Sequence, residues 1–184
     1  SIRISQLLLP DQPGLESGSA GILAPDQPGL AVDPTAPVYP RFAVRRVATA
    51  LADTPVVLVN GPRQCGKTTL AQGFVAADRP YLTLDDATVL AAARNDPAAV
   101  LRGVPAAVID EVQRSPELLR ELKLQVDRDR RPGRYLLTGS ANLLTLPQVA
   151  DSLAGRMAVV PLLPLSPAEV LGTGAGFLGA AFEG

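Results

Sequence analysis

The stretch Gly61-Pro62-Arg63-Gln64-Cys65-Gly66-Lys67-Thr68-Thr69 has the residue types and spacing of a phosphate-binding loop, G-x-x-x-x-G-K-[ST]. Glycines at 61 and 66 let the backbone curl into a concave nest whose N–H groups point at anionic oxygens. A helix starting behind the loop adds its unsatisfied amides and the positive end of its dipole. Lys67 would reach the terminal phosphates, and the Thr68 hydroxyl would be a magnesium ligand. The competing explanation is a glycine-rich turn that matches by accident. At average residue usage that happens in about one chain in a hundred of this length, or fewer. Lys67 and Lys123 are the chain's only lysines, which argues further against accident.

A second cluster supplies acids. Ala106-Ala107-Val108-Ile109 runs straight into Asp110-Glu111. Apolar strands often end in acids, but one strand–helix unit downstream of a phosphate loop the pair has a specific use. Asp110 would hold magnesium, and Glu111 would polarise a water for attack on a γ-phosphate as general base. A kinase acting on a small acceptor would not need Glu111, so the pair favours hydrolysis.

Further along, Thr138-Gly139-Ser140-Ala141-Asn142 offers a hydroxyl that could sense the γ-phosphate, Thr138 first and Ser140 second. An ordinary Ser/Gly turn explains the spacing equally well. Arg156, after Leu153-Ala154-Gly155, could neutralise transition-state charge in cis or from a neighbouring subunit. Arg63 could touch phosphate or pair with an acid. Asp85-Asp86 could line the site or be a solvated loop tip, and Cys65 reads as a small packing residue.

Composition narrows the alternatives. The chain has 184 residues, no histidine, one cysteine, 17 basic and 18 acidic residues, and a net charge of -1. Histidine-based triads, histidine metal sites, cysteine-rich zinc clusters and internal disulfides are all excluded. A near-neutral balance argues against a basic nucleic-acid surface over the whole chain, though not against a local patch. Carboxylates, hydroxyls, Lys, Arg and backbone amides remain, an inventory suited to phosphoryl transfer. No apolar run approaches the ~18 residues of a membrane span. The N-terminal apolar stretch is too short for a secretory signal, and the single cysteine makes the cytoplasm the default location.

Elements that would position these groups can be read in order. Pro10-Asp11-Gln12-Pro13-Gly14-Leu15 recurs as Pro25-Asp26-Gln27-Pro28-Gly29-Leu30, so residues 1–38 are expected to be a flexible leader. Phe42, Val44, Val47, Ala48 and Leu51 form a helical stripe. Strands are expected at 56–59, 81–84, 106–109, 134–138 and 157–160. Helices are expected over 70–75, 87–94, a short one from Pro97, one capped by Ser115 with Pro116 at its first position, and one around 146–153. Ser166-Pro167-Ala168-Glu169 is a capping box. Alternating strands and helices predict an α/β protein with a parallel sheet covered on both faces, whose ligands bind outside the strand carboxyl ends. The phosphate loop, Asp85-Asp86, Asp110-Glu111 and Thr138-Gly139-Ser140 all fall there.

Taken together, Tyr39-Pro40-Arg41, the phosphate loop, Tyr81-Leu82-Thr83-Leu84-Asp85-Asp86, Ile109-Asp110-Glu111-Val112-Gln113, Leu136-Leu137-Thr138-Gly139-Ser140-Ala141-Asn142 and Ser152-Leu153-Ala154-Gly155-Arg156 occur in this order. That order resembles a family of prokaryotic AAA-like ATPases, over about Tyr39 to Val170. The resemblance implies a three-layer P-loop NTPase of the AAA/ASCE type with a five-stranded, mostly parallel sheet. It assigns Lys67 and Thr68 to the Walker A motif, Asp110 and Glu111 to Walker B, and Thr138 to the sensor position. It also implies ATP rather than GTP, with Mg2+ as the metal. Members of that family continue into a C-terminal domain and can form homo-oligomers or engage DNA or protein through it.

The expected organisation is therefore a leader at 1–38, a P-loop ATPase domain at 39–171 and a glycine-rich tail at 172–184, stopping before such a C-terminal domain. The expected function is Mg-dependent ATP binding and hydrolysis. The alternatives are a nucleotide-holding switch that does not turn over, a fragment with no independent activity, and, more weakly, a small-molecule kinase.

Overall fold

The first strand, β1 (Val56–Gly61), shows why the sheet must be covered twice. Its first four side chains are all fully buried. Side chains alternate along a strand, so Val56 and Leu58 enter one core and Val57 and Val59 the other. A strand without a polar face needs helices on both sides, which is the habit of parallel sheets.

The computed structural model describes residues 39–140 and 155–172, which belong to the unit Val38–Gly184. Around β1 stand β2 (Tyr81–Thr83), β3 (Ala107–Asp110), β4 (Tyr135–Ser140) and β5 (Met157–Pro161). The order across the sheet is β2-β3-β4-β1-β5, and every pairing is parallel. The fold is thus a three-layer α/β sandwich of the expected five strands, and wholly parallel. One core gathers Val56, Leu58, Ile109 and Leu137 against α3 (Ala87–Asn95), α4 (Pro97–Leu101) and α5 (Pro116–Arg128). The other gathers Val57, Val59, Val108 and Leu136 against α1 (Ala43–Asp53) and α2 (Lys67–Gln72).

Local signals account for the helix starts. The Asp86 carboxylate accepts the amides of Thr88 and Val89 at 2.7 and 3.0 Å, capping α3. Ser115 accepts the Leu118 amide at 3.3 Å with Pro116 at the first helical position of α5. The capping box is present at α6 (Pro167–Leu171), where Ser166 and Glu169 satisfy each other's backbone.

Several expectations need correction. In α1 the buried stripe is Ala43, Val47 and Leu51; Phe42 sits at the N-cap, off the helical wheel, and is 46% exposed. The phosphate-loop helix begins at Lys67 and ends at Gln72, earlier than expected at both ends. β1 and β4 each run two residues past their apolar runs, because backbone pairing carries Asn60-Gly61 alongside Gly139-Ser140. The expected helix at 146–153, the leader and most of the tail lie outside the described residues. Among the described residues, no helix is long and apolar enough to cross a membrane.

At the base of the sheet the buried Tyr135 hydroxyl accepts from Arg134 Nη2 at 2.9 Å. Burial pushes its pKa above the ordinary 10.0, against the opposing Arg134 charge. The unfolded chain therefore releases this proton at a lower pH than the folded one. The stability that Tyr135 contributes should be level below about pH 10 and fall as pH rises beyond it. Urea unfolding followed across that range checks the direction, and Tyr135→Phe should reduce the fall.

Candidate functional site

After β1 the chain enters left-handed backbone at Gln64 (φ 63°) and again at Gly66 (φ 90°). Such alternation turns successive N–H groups inward, as an anion nest requires. Glycine at 61 has a second reason: a Cβ there would meet the Leu162 carbonyl oxygen at 2.1 Å, where the chain leaves β5. Lys67 opens α2 with its side chain buried. Its ammonium donates to the carbonyls of Gly61 at 3.1 Å and Pro62 at 2.7 Å, folding back over the loop.

Asp110 ends β3 at 2% exposure, and three hydroxyls converge on its carboxylate. Thr68 Oγ1 lies 3.0 Å from Oδ2, Tyr81 Oη donates to Oδ2 at 2.9 Å, and Thr138 Oγ1 donates to Oδ1. The two residues expected to ligate magnesium are thus in contact. Glu111 follows in left-handed backbone (φ 56°), its amide held by Thr138 Oγ1 at 3.0 Å and its carboxylate by the Gln113 side-chain amide.

Beside these groups opens a cleft of about 1110 Å³ lined by Pro62, Arg63, Gln64, Gly66, Lys67, Thr68, Thr69, Asp85, Glu111, Gln113 and Ser140. Arg63 is exposed on it and, among the described residues, forms no ion pair with an acid. Asp85 pairs with Arg114 at the rim. The donors available to a cation are oxygens, Thr68 Oγ1 and the Asp110 carboxylate, which suits a hard divalent ion. Size, cradle and donor set together fit a magnesium–nucleotide.

Two assignments move. Thr138 is fully buried and linked to both acids, beneath the cleft rather than on it. Ser140, the second choice, stands two residues further along the same face, at the strand's carboxyl end, and lines the cleft instead. Arg156 is not brought to this edge. It precedes β5, whose first residue Met157 registers with Val56, so it stands at the amino edge, a strand's length from Lys67. There its Nε donates to Asp127 Oδ1 at 2.6 Å, near the end of α5. Strand direction thus sets it at the opposite edge from this chain's own cleft.

Four residues were assigned no site role from the sequence. Tyr81 reaches Asp110 from the neighbouring strand, and Gln113 restrains Glu111 from the turn that follows it. Arg41 donates to the Cys65 carbonyl at 2.7 Å behind the phosphate loop, and Glu169 holds Arg41. Tyr81, Gln113 and Arg41 all stand within the ordered segments quoted above; Glu169 had only its capping box as a signal. Cys65 is buried among the side chains packed against α1 and α2.

Comparison with known proteins gives three findings. A family model described as an AAA domain matches residues 53–171. Uncharacterized proteins of Mycobacterium tuberculosis and Mycobacterium bovis are each 42% identical over 136 residues, 71% of this chain and 30% of theirs. The chain therefore spans about a third of the length of these curated relatives. The solved structure of C. elegans PCH-2 aligns with 67% of this chain and 40% of its own, at 18% identity and a TM-score of 0.41. With a phosphate loop and two acids on one edge of a wholly parallel sheet, and a family match over most of its described residues, this chain belongs to the AAA domain family.

Proposed function

We propose that this chain binds Mg-ATP in the cleft over β1 and β3 and hydrolyses it to ADP and phosphate. The observation that carries this reading is the convergence of Lys67, Thr68 and Glu111 on one cleft, with the buried Asp110 carboxylate in contact with Thr68. The nest from Gly61 to Thr69 would hold the phosphates, Lys67 would leave its carbonyl contacts to meet them, and Thr68 and Asp110 would hold the metal. When bound, the metal supplies charge neutralisation for the phosphate oxygens. Glu111 accepts a proton from the attacking water, whose oxygen bonds to the γ-phosphorus as the bond to the β-phosphate oxygen breaks. Tyr81 and Thr138 fix the Asp110 carboxylate, and Ser140 stands where a hydroxyl could meet the γ-phosphate.

A cytoplasmic location, assembly with further copies, any role of Arg156 toward a neighbouring copy, and a DNA or protein partner engaged through sequence that the longer relatives carry belong to the same proposal.

One contact favours a second reading. The Gln113 amide holds the Glu111 carboxylate, which would restrain the base and suit a switch that keeps its nucleotide. Thermal melting with and without Mg-ATP, beside phosphate release, separates the two. A midpoint raised by Mg-ATP with phosphate released supports hydrolysis. A raised midpoint without release supports the switch, and no shift overturns both.

A further inference from the structure

Arg41 stands outside the cleft, and nucleotide binding as described leaves it unused. Its side chain is 11% exposed, yet every arm of the guanidinium is engaged. Nη1 donates to the Cys65 carbonyl at 2.7 Å, Nη2 to the Leu163 carbonyl at 2.5 Å, and Nε to Glu169 Oε1 at 3.2 Å. The three acceptors belong to the phosphate loop, the segment after β5, and α6.

A phosphate nest creates the need for such a donor. Turning N–H groups inward leaves carbonyls facing outward, and each needs a partner. Lys67 serves Gly61 and Pro62, and Arg41 serves Cys65. The fit is close: a Cβ on Gly66 would lie 3.1 Å from Arg41 Nη1. Glu169 in turn is fixed by the amides of Phe42 and Ser166, each at 2.8 Å, and by the Ser166 hydroxyl at 3.1 Å. Burial pushes its carboxyl up, but these amides, Arg41 and the Ser166 hydroxyl outweigh it and hold the pKa below the ordinary value. The Glu169 carboxylate is therefore charged at neutral pH, and neither partner can shift without leaving the other buried without its counter-charge.

We propose that Arg41, anchored by Glu169, is a positioning residue for the phosphate loop and couples the binding of nucleotide phosphates to the placement of α6. The inference rests on the nucleotide-binding reading but assigns a task to residues outside the cleft. Coupling of this kind is reciprocal: if the Arg41–Glu169 contact favours the phosphate-ready loop, bound phosphate must favour the contact. A bracket that served only the fold would be indifferent to nucleotide.

The test uses the full chain at a temperature where wild type, Arg41→Lys and Glu169→Gln are all folded by circular dichroism. Titration calorimetry with Mg-ATP and amide hydrogen exchange over residues 166–172 are measured together. Arg41→Lys keeps the charge but cannot reach three acceptors, and Glu169→Gln keeps the shape but loses the ion pair. Each should raise the Kd for Mg-ATP by about 10-fold, within the usual span of coupling energies. In wild type, Mg-ATP should slow α6 exchange several-fold, and Arg41→Lys should abolish that slowing. Variants that melt lower yet bind as wild type, with α6 exchange indifferent to nucleotide, would reduce the bracket to a structural staple and overturn the proposal. The wild-type exchange experiment decides even where a variant fails to fold. A wild type that takes up no Mg-ATP overturns the nucleotide reading and this inference with it; uptake with an unresponsive α6 overturns this inference alone.

Discussion

Glu111→Gln is expected to bind Mg-ATP within about two-fold of wild type while releasing phosphate roughly 10²-fold more slowly, or slower still. The substitution keeps size and hydrogen-bonding capacity but removes the ability to take a proton from water. The backbone contact that aims the residue, its amide on Thr138 Oγ1 at 3.0 Å, is unaffected. The Gln113 side chain can still bond an amide oxygen at position 111, so a loss of rate would reflect lost basicity rather than a displaced turn. Single-turnover phosphate release under saturating Mg-ATP measures it. A variant as fast as wild type would falsify the general-base assignment.

The second large effect is on binding. Lys67→Ala should show no Mg-ATP-induced rise in melting temperature and no heat of binding at concentrations that saturate wild type. Without nucleotide the cost is more modest, because Lys67 satisfies two loop carbonyls that water can reach once the side chain is gone; about 1 kcal/mol per lost bond is the expected scale. Lys123→Ala is the natural control: the only other lysine lies on α5, outside the cleft. If Lys67→Ala retained wild-type affinity, phosphate would be bound by something other than this loop.

What could be read in the sequence was local. A phosphate nest of this spacing has glycine where the backbone is crowded or turns left-handed, here Gly61 and Gly66, an ammonium at a fixed offset and a helix behind, so composition and spacing reveal it. The same holds for Asp110-Glu111, where an apolar run breaks abruptly into acids. Tyr81 was a different matter, because its hydroxyl meets Asp110 only once Tyr81 registers with Val108 on the adjacent strand. Arg41 and Glu169 lie 128 residues apart, and no local pattern joins them. Thr138 was placed on the right strand and face but too near its end: it is fully buried, and Ser140, two residues further on, reaches the cleft, a depth that local spacing does not reveal. Arg156 stands away from this chain's own cleft for a reason that strand polarity contains: in a parallel sheet, a residue that starts a strand sits at the edge opposite the one where strands end. Phe42 looked like core because hydrophobicity does not reveal that a helix begins one residue later.

Glu111 and Gln64 hold left-handed backbone without being glycine. Such a conformation costs an L-residue about 1 kcal/mol or more, and glycine would relieve it at either position. A sequence drifting free of any demand would find those replacements among its cheapest gains in durability, and both changes are small. With a charged side chain at one strained position and an amide at the other, this polypeptide is less robust than glycine would make it, and the strain sits where those two side chains face the cleft.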